Sequence, residues 1–325
     1  VITIADVEAA AVRLRGVSVL TPLLRNVELD RIAGGTVWLK PECLQMTGSF
    51  KIRGAYNFLG QLGPEEAQRG VVAFSSGNHA QGVAAAGGLL GIRTAIVMPE
   101  DAPRAKLDNT RKLGGEVITY DRFTGDREAI ARRIAAERNA VVVPSYDHDN
   151  IIAGQGTVGL EIAAQCEAAG SLPEQVLVCC GGGGLIAGTA VALKARLGEV
   201  AVHSVEPTDF DDTARSLELG ERVENDAAAR SICDALQAHT PGRLTFDINK
   251  RLLSHGLTVS DAEVREALRF AFRNLKLVLE PGGAVALAAV LSGKIETAGK
   301  TTAVVLSGGN VDSDLFAEIQ REGSS

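Results

Sequence analysis

Short runs of apolar, β-branched residues recur along the chain, and between them apolar positions repeat at helical spacing. The runs are Thr36–Leu39, Val71–Phe74, Thr94–Met98, Val117–Tyr120, Val141–Val143, Val176–Cys179, Val200–Val205 and Thr302–Leu306. Each is nearly apolar throughout, as strands buried on both faces of a parallel sheet are. Their alternation with amphipathic stretches predicts an α/β fold with parallel sheets flanked by helices. Arg127–Arg138 shows the helical half of the pattern, with Ala129, Ile130, Ile134 and Ala135 on one face and the charges on the other. Gly91, Gly114 and Gly198 stand where helices should end in a left-handed residue. There is no Gly/Ser linker, low-complexity segment or solenoid period, so two domains, if present, are tightly joined.

Composition narrows the function classes. A chain of 325 residues, 46% hydrophobic and 22% charged, is globular material of roughly two domains. A net charge of −7 argues against nucleic acid or an anionic membrane as partner and leaves small-molecule chemistry as the default. Five cysteines are an odd number without a C-x-x-C pair, which fits a reducing compartment better than disulfides or zinc. The start of the chain shows no basic segment followed by a long apolar run, and no apolar stretch approaches a membrane span. We expect a cytoplasmic protein.

Two strand ends carry the least ordinary sequence, and ligands of open α/β sheets bind at such carboxyl ends. Gly181-Gly182-Gly183-Gly184-Leu185 follows one strand and should open a helix Ile186–Leu197, where bare backbone N–H groups and the helix dipole suit a phosphate. It lacks the Lys-Ser/Thr of a Walker loop, and a tight glycine turn is the plain alternative. Ser75-Ser76-Gly77-Asn78-His79 lies between another strand and helix, and either caps that helix or holds a carboxylate. Lys51, in T-G-S-F-K-I-R-G-A, is out of pattern beside apolar Phe50, Ile52 and Tyr56. It is either a snorkelling surface lysine or a Schiff-base lysine activated by desolvation. Ser307-Gly308-Gly309-Asn310 closes the last strand with one hydroxyl at the sheet edge, which a glycine turn also explains.

Taken in order, S-F-K-I-R-G-A, S-S-G-N-H-A-Q-G, I-A-G-Q-G-T at Ile152–Thr157, G-G-G-G-L and S-G-G-N resemble the fold-type II pyridoxal-phosphate enzymes, within them the threonine/serine dehydratase and serine racemase family. The resemblance covers nearly the whole chain. It implies a large cofactor-binding domain of residues 1–46 plus 149–325 and a small domain of residues 47–148, each a mostly parallel sheet flanked by helices. It further implies that Lys51 carries the cofactor, Phe50 packs on its face, Asn78 bonds the ring hydroxyl, Gly181, Gly182, Gly183, Gly184 and Leu185 hold the phosphate, and Ser307 faces the pyridine nitrogen. A neutral serine does not hold that nitrogen protonated as an aspartate does, which disfavours a long-lived carbanion and favours prompt loss of a β-hydroxyl. Ser75, Ser76, Asn78 and His79 would surround the substrate carboxylate.

The implied activity is β-elimination of L-threonine or L-serine to a 2-keto acid and ammonia, with Lys51 and Ser76 as catalytic residues. Threonine-type dehydratases tend to have alanine where Ser76 stands, whereas racemases and some hydroxyaspartate dehydratases have serine, so those two activities are the rivals. Ser76→Ala should abolish any racemisation and spare elimination. A hydroxyaspartate dehydratase needs a cation for the second carboxylate, for which Arg127 is a candidate, though its spacing equally suits a solvated helix face. A noncatalytic phosphate- or nucleotide-binding module is the alternative of a different class. The Glu206–Asp212 segment gathers four carboxylates, usually the mark of a solvated loop. By resemblance Glu206, Asp212 and the backbone carbonyl of Phe210 bind Mg2+ or Ca2+, whose hard-oxygen preference they meet. Glu280 would approach the ring edge or simply start a helix, and Cys179 and Cys180 are expected to be core or cofactor-wall residues. His148 and His239 are expected in surface loops. The resemblance also suggests a homodimer and, with the chain ending soon after S-G-G-N, no feedback by isoleucine.

Overall fold

The computed structural model describes residues 2–75, 77–102, 104–121 and 123–322. Its nine strands are β1 Thr36–Pro41, β2 Val71–Phe74, β3 Thr94–Pro99, β4 Glu116–Tyr120, β5 Val141–Val142, β6 Gln175–Cys179, β7 Ala201–Pro207, β8 His255–Val259 and β9 Thr301–Leu306. They form two sheets, one ordered β1-β9-β6-β7-β8 and the other β4-β3-β2-β5. Every pairing between them is parallel, which requires the crossover helices the sequence pattern predicts.

The strands predicted from apolar runs all form, and the exceptions to the pattern lie at sheet edges. β4 pairs on one side only, and both Glu116 and Thr119 are exposed, so it is not the fully buried strand expected. β8, with the sequence H-G-L-T-V, is also an edge strand and escaped prediction because an edge needs no continuous apolar run. Helix Arg127–Arg138 has the predicted bounds but buries Ala131, Ile134 and Ala135, whereas Ala129 is exposed. Ala131 and Ala135 are four apart and share a face; Ala129 points away from both. Gly91, Gly114 and Gly198 do take positive φ.

One helix ties the site together. Asp149–Ala168, 20 residues long, carries I-A-G-Q-G-T and packs on two other helices through glycines. A Cβ on Gly154 would lie 2.7 Å from the Cα of Gly54, in helix Lys51–Leu59, and one on Gly156 would lie 2.7 Å from the carbonyl oxygen of Gly188, in helix Gly184–Leu197. Any side chain there would push the backbones apart. Gln155 Oε1 accepts from Gly54 N at 3.2 Å, filling the seam with a buried hydrogen bond. The helix bearing Lys51 and the helix opened by the glycine run are thereby fixed to one spine.

Candidate active site

Lys51 begins its helix at the carboxyl edge of the five-stranded sheet. The preceding residues are stitched to the end of β9: Ser49 bridges Gly308, Phe50 N donates to the Ser307 carbonyl at 3.2 Å, and Gly309 N donates to the Gly48 carbonyl at 2.9 Å. From the other side helix Asn78–Leu90 closes in, since a Cβ on Gly82 would sit 3.0 Å from the Lys51 carbonyl carbon. The Lys51 amine donates to the Ser145 carbonyl at 2.9 Å and lies 5.3 Å from the centre of the Phe50 ring. The side chain is half-buried, with its amine turned inward onto that carbonyl. Burial lowers its pKa to about 8, against a partial pull upward from Cys179 and Glu280. That environment favours the nucleophilic reading over the snorkelling one.

Ser145 leads directly to Tyr146, whose ring lies on the glycine run. A Cβ on Gly182 would come within 2.4 Å of that ring, and one on Gly184 within 3.0 Å of Tyr146 Cβ. Gly183 has φ +91 and serves as N-cap of helix Gly184–Leu197, which therefore starts two residues earlier than predicted. Gly184 and Leu185 thus belong to the first turn, whose backbone N–H groups have no partner four residues back. The run is required both by conformation and by close approach, beyond what a turn demands. One short segment, Ser145-Tyr146, touches the Lys51 amine with one residue and the glycine run with the next. These features fit a phosphate ester that reacts with an amine, as pyridoxal phosphate does.

The serine-rich loop approaches from the second sheet. The helix there is capped by Gly77 with no side-chain bond, so Asn78 does not serve as its cap. Instead Asn78 Nδ2 donates to Glu280 Oε1 at 2.5 Å, and its Oδ1 accepts from Asn310 Nδ2 at 2.7 Å. Ser75 Oγ accepts from Gly77 N at 3.1 Å within the turn. His79 is buried and its Nε2 lies 3.3 Å from the Val143 carbonyl; burial, helped by the nearby Lys51, lowers its pKa to about 3, so the ring is neutral. Ser76 lies outside the described residues. Ser307 is 4% exposed beside Cys179, whose thiol burial pushes up to about 11 against a hydrogen bond from Ser307. Cys179 and Cys180 are both buried and so placed in the wall, as expected.

The acidic segment divides into two kinds of residue. Asp209 is exposed and Asp211 pairs with Arg215 at 2.6 Å, but Glu206 and Asp212 are wholly buried. Glu206 accepts from Thr213 N and Ala214 N at 3.0 and 2.8 Å, and Asp212 Oδ1 accepts from Asn225 Nδ2 at 2.6 Å. Asp212 Oδ2 is buried without a hydrogen-bond partner. Burial raises both carboxyls, Asp212 to about 6 and Glu206 well above its usual range, where the Asp212 charge adds to the effect. Two buried acids with a free oxygen suit a divalent cation, and the buried Phe210 lies between them in sequence. Among the described residues no group of three or more His, Cys, Asp or Glu side chains is gathered for a metal.

Sequence reasoning passed over Ser145 and Tyr146, named Asn310 only as the end of its glycine motif, and left Glu280 between two roles. Glu280 is 4% exposed and its carboxyl is raised to about 7, first by burial and then by Asp234, with the Asn78 hydrogen bond opposing. His148 does end a loop but is half-buried: its Nδ1 accepts from Asn150 N at 3.0 Å as the N-cap of helix Asp149–Ala168, and its ring meets Phe58 edge-on at 4.9 Å. His239 is exposed and pairs with Glu224 at 3.2 Å. Arg127 opens its helix with its guanidinium 5.9 Å from the centre of the Phe74 ring, one residue before Ser75. Its charge also reaches Tyr146.

The family profile described as "Pyridoxal-phosphate dependent enzyme" matches residues 17–308. The chain is 43% identical over 314 residues to an L-threo-3-hydroxyaspartate ammonia-lyase from a Pseudomonas species, covering 97% of each chain. It is 41% identical over 324 residues to an L-threonine ammonia-lyase from Thermotoga maritima, covering 99% of this chain and 79% of that one. The structure of maize serine racemase superposes with a TM-score of 0.92 at 33% identity, over 98% of this chain and 97% of that one. No helix among the described residues is long and apolar enough to cross a membrane. With a matched profile over most of its length, two parallel sheets and a desolvated lysine beside a glycine cradle, the chain belongs to the fold-type II pyridoxal-phosphate-dependent enzymes, alongside ammonia-lyases and racemases of hydroxy amino acids.

Proposed function

We propose that the protein is an ammonia-lyase that removes water from L-threonine or L-serine and yields a 2-keto acid and ammonia. The observation that carries this reading is that Lys51, whose amine burial makes less basic, directly follows Phe50, whose N–H is bonded to the carbonyl of the buried Ser307. Pyridoxal phosphate, when bound, supplies an electron sink for the charge released at the substrate Cα. Gly181, Gly182, Gly183, Gly184 and Leu185 would hold its phosphate, Phe50 would pack on its ring, and Asn78 and Ser307 would bond its ring hydroxyl and ring nitrogen. Lys51, neutral in part near pH 7, takes the Cα proton. Ser75, Ser76, Asn78 and neutral His79 orient the substrate carboxylate. Glu206, Asp212 and the Phe210 carbonyl hold a divalent cation that neutralises two buried acids. The loop 75–79 belongs to a small domain of residues 47–148 that covers a large domain of residues 1–46 plus 149–325, in a cytoplasmic homodimer.

A second reading, 3-hydroxyaspartate as substrate, is favoured by one observation: Arg127 places a cation at Phe74, next to Ser75. A racemase is favoured by Ser76 alone.

The test is a panel of L-threonine, L-serine, both 3-hydroxyaspartate diastereomers and D-serine, given to cofactor-loaded protein and scored for keto acid, ammonia and enantiomer. Keto acid and ammonia in equal amounts from threonine or serine support the first reading. Turnover of a hydroxyaspartate at much higher kcat/KM selects the second, and enantiomer exchange without ammonia rejects both.

A further inference from the structure

Against the glycine run lies a residue whose polar atoms the chain leaves unused. Thr245 and Asn249 are one turn apart on helix Arg243–Leu252 and share a face. Thr245 Oγ1 donates to the Gly182 carbonyl at 2.7 Å. A Cβ on Gly183 would come within 2.9 Å of Asn249 Nδ2 and 3.0 Å of Thr245 Oγ1, so both side chains lie against the loop. Asn249 is wholly buried, and neither Nδ2 nor Oδ1 has a hydrogen-bond partner.

Buried amides are nearly always paired, and leaving both ends of one unpaired is costly. Nor is this helix free to swing the amide away. Asp147 accepts from Arg243 N, Leu244 N and Thr245 N at 2.9, 2.9 and 3.2 Å, which ties the helix start to the residue after Tyr146. Tyr146 packs on Gly182 and Gly184, while Thr245 and Asn249 back Gly183. The loop is held by both, and Asn249 is held against it with a free donor.

We propose that Asn249 is a positioning residue of the anion cradle: its Nδ2 gains its hydrogen-bond partner when the cofactor's phosphate is seated on Gly181–Leu185, and thereby tightens the grip on that phosphate. The proposal rests on the reading of this loop as the phosphate site. A donor facing a dianion forms a charge-assisted bond, and losing it should weaken binding about tenfold.

Apoprotein is titrated with pyridoxal phosphate and, separately, with pyridoxal, which has the same ring and aldehyde but no phosphate. Asn249→Leu, close in volume and apolar, is compared with wild type, and Asn249→Ala is made in parallel in case leucine does not pack. The expected result is about a tenfold weaker affinity for pyridoxal phosphate, unchanged affinity for pyridoxal, and an apoprotein melting temperature no lower than wild type in Asn249→Leu because an unpaired buried amide has gone. Inorganic phosphate should raise the melting temperature of wild-type apoprotein more than that of either variant. Wild-type affinity for pyridoxal phosphate in the variants, or an equal loss for both ligands, overturns the proposal. If wild type itself binds the two ligands equally, the phosphate-loop reading falls with it.

Discussion

Asn78 and Glu280, 202 residues apart, share a hydrogen bond of 2.5 Å that joins the second sheet's serine-rich loop to the helix Pro281–Leu291. Asn310 holds the other end of the same amide, so its orientation is set from two sides. A carboxylate buried beside Asn78 keeps its proton up to about pH 7, rather than the usual 4.5. Below about 4.5 folded and unfolded chains are both protonated there and the group contributes nothing. Between 4.5 and 7 the unfolded chain binds fewer protons than the folded one, so stability falls as pH rises. Glu280→Gln keeps an acceptor for Asn78 and removes the ionisation. Its apoprotein should therefore gain on wild type between pH 4.5 and pH 8, by on the order of 2–3 kcal/mol. Urea unfolding at the two pH values measures this, and a constant difference would sink it.

The pKa of Lys51 makes a kinetic prediction. Only the neutral amine attacks an aldehyde, and burial places half-neutralisation near pH 8 instead of 10.5. The rate at which apoprotein takes up pyridoxal phosphate, followed by its visible absorbance, should rise with pH through a midpoint near 8. Lys51→Ala should show no such band, lose at least about a thousandfold in turnover, and remain folded. A midpoint near 10.5 would place the amine in solvent.

Much of this was legible in the chain because parallel strands buried on both faces are written as continuous apolar runs. β2, β3, β6 and β9 follow that rule; two of the four edge strands, β4 and β8, do not, because an edge needs no continuous apolar run. The site was legible where a motif sits on one loop, as at Gly181–Gly184. It was not legible where the chemistry is an encounter: nothing near Lys51 in sequence announces the Ser145 carbonyl, and nothing near Gly182 announces the Tyr146 ring. Burial likewise separated Glu206 and Asp212 from Asp209, which the charge pattern alone had grouped.

Arg53, two residues after Lys51, was also passed over, and it anchors the lysine's helix. Its wholly buried guanidinium forks onto both oxygens of Glu42 at 2.7 and 2.8 Å and both of Glu161 at 2.6 and 2.9 Å, and buried Lys40 also reaches Glu161 at 2.6 Å. Two cations and two carboxylates balance. Arg53→Met leaves the carboxylates short of a partner and should cost about 3–5 kcal/mol, read as a lower urea midpoint. A loss below about 1 kcal/mol would mean that the network behaves as a surface pair.

The buried acids Glu206 and Asp212 predict a cation effect with a pH window. Because Asp212 titrates near 6 in the fold and 3.8 ordinarily, stability falls as pH rises between those values unless a cation is bound. Millimolar Ca2+ or Mg2+ should raise the melting temperature by a few degrees at pH 7.5, and by less at pH 5, where protons compete. Asp212→Asn should abolish the response. An equal response in that variant would put the ion elsewhere.

Arg127 separates the substrate readings. It is exposed, so a dicarboxylate can reach it, and its guanidinium lies 5.9 Å from the centre of the ring of Phe74, the residue before Ser75. If the second carboxylate of a hydroxyaspartate docks there, the bond is charge-assisted and is made in both ground and transition states. Arg127→Ala should then raise KM for 3-hydroxyaspartate by about 10- to 100-fold with little change in kcat. L-Threonine and L-serine have no group to place there, so their kinetics should stay within about twofold of wild type. The opposite pattern, with threonine and serine impaired as much as the dicarboxylate, would show that Arg127 supports the loop and selects nothing, and would leave threonine or serine as the substrate by default.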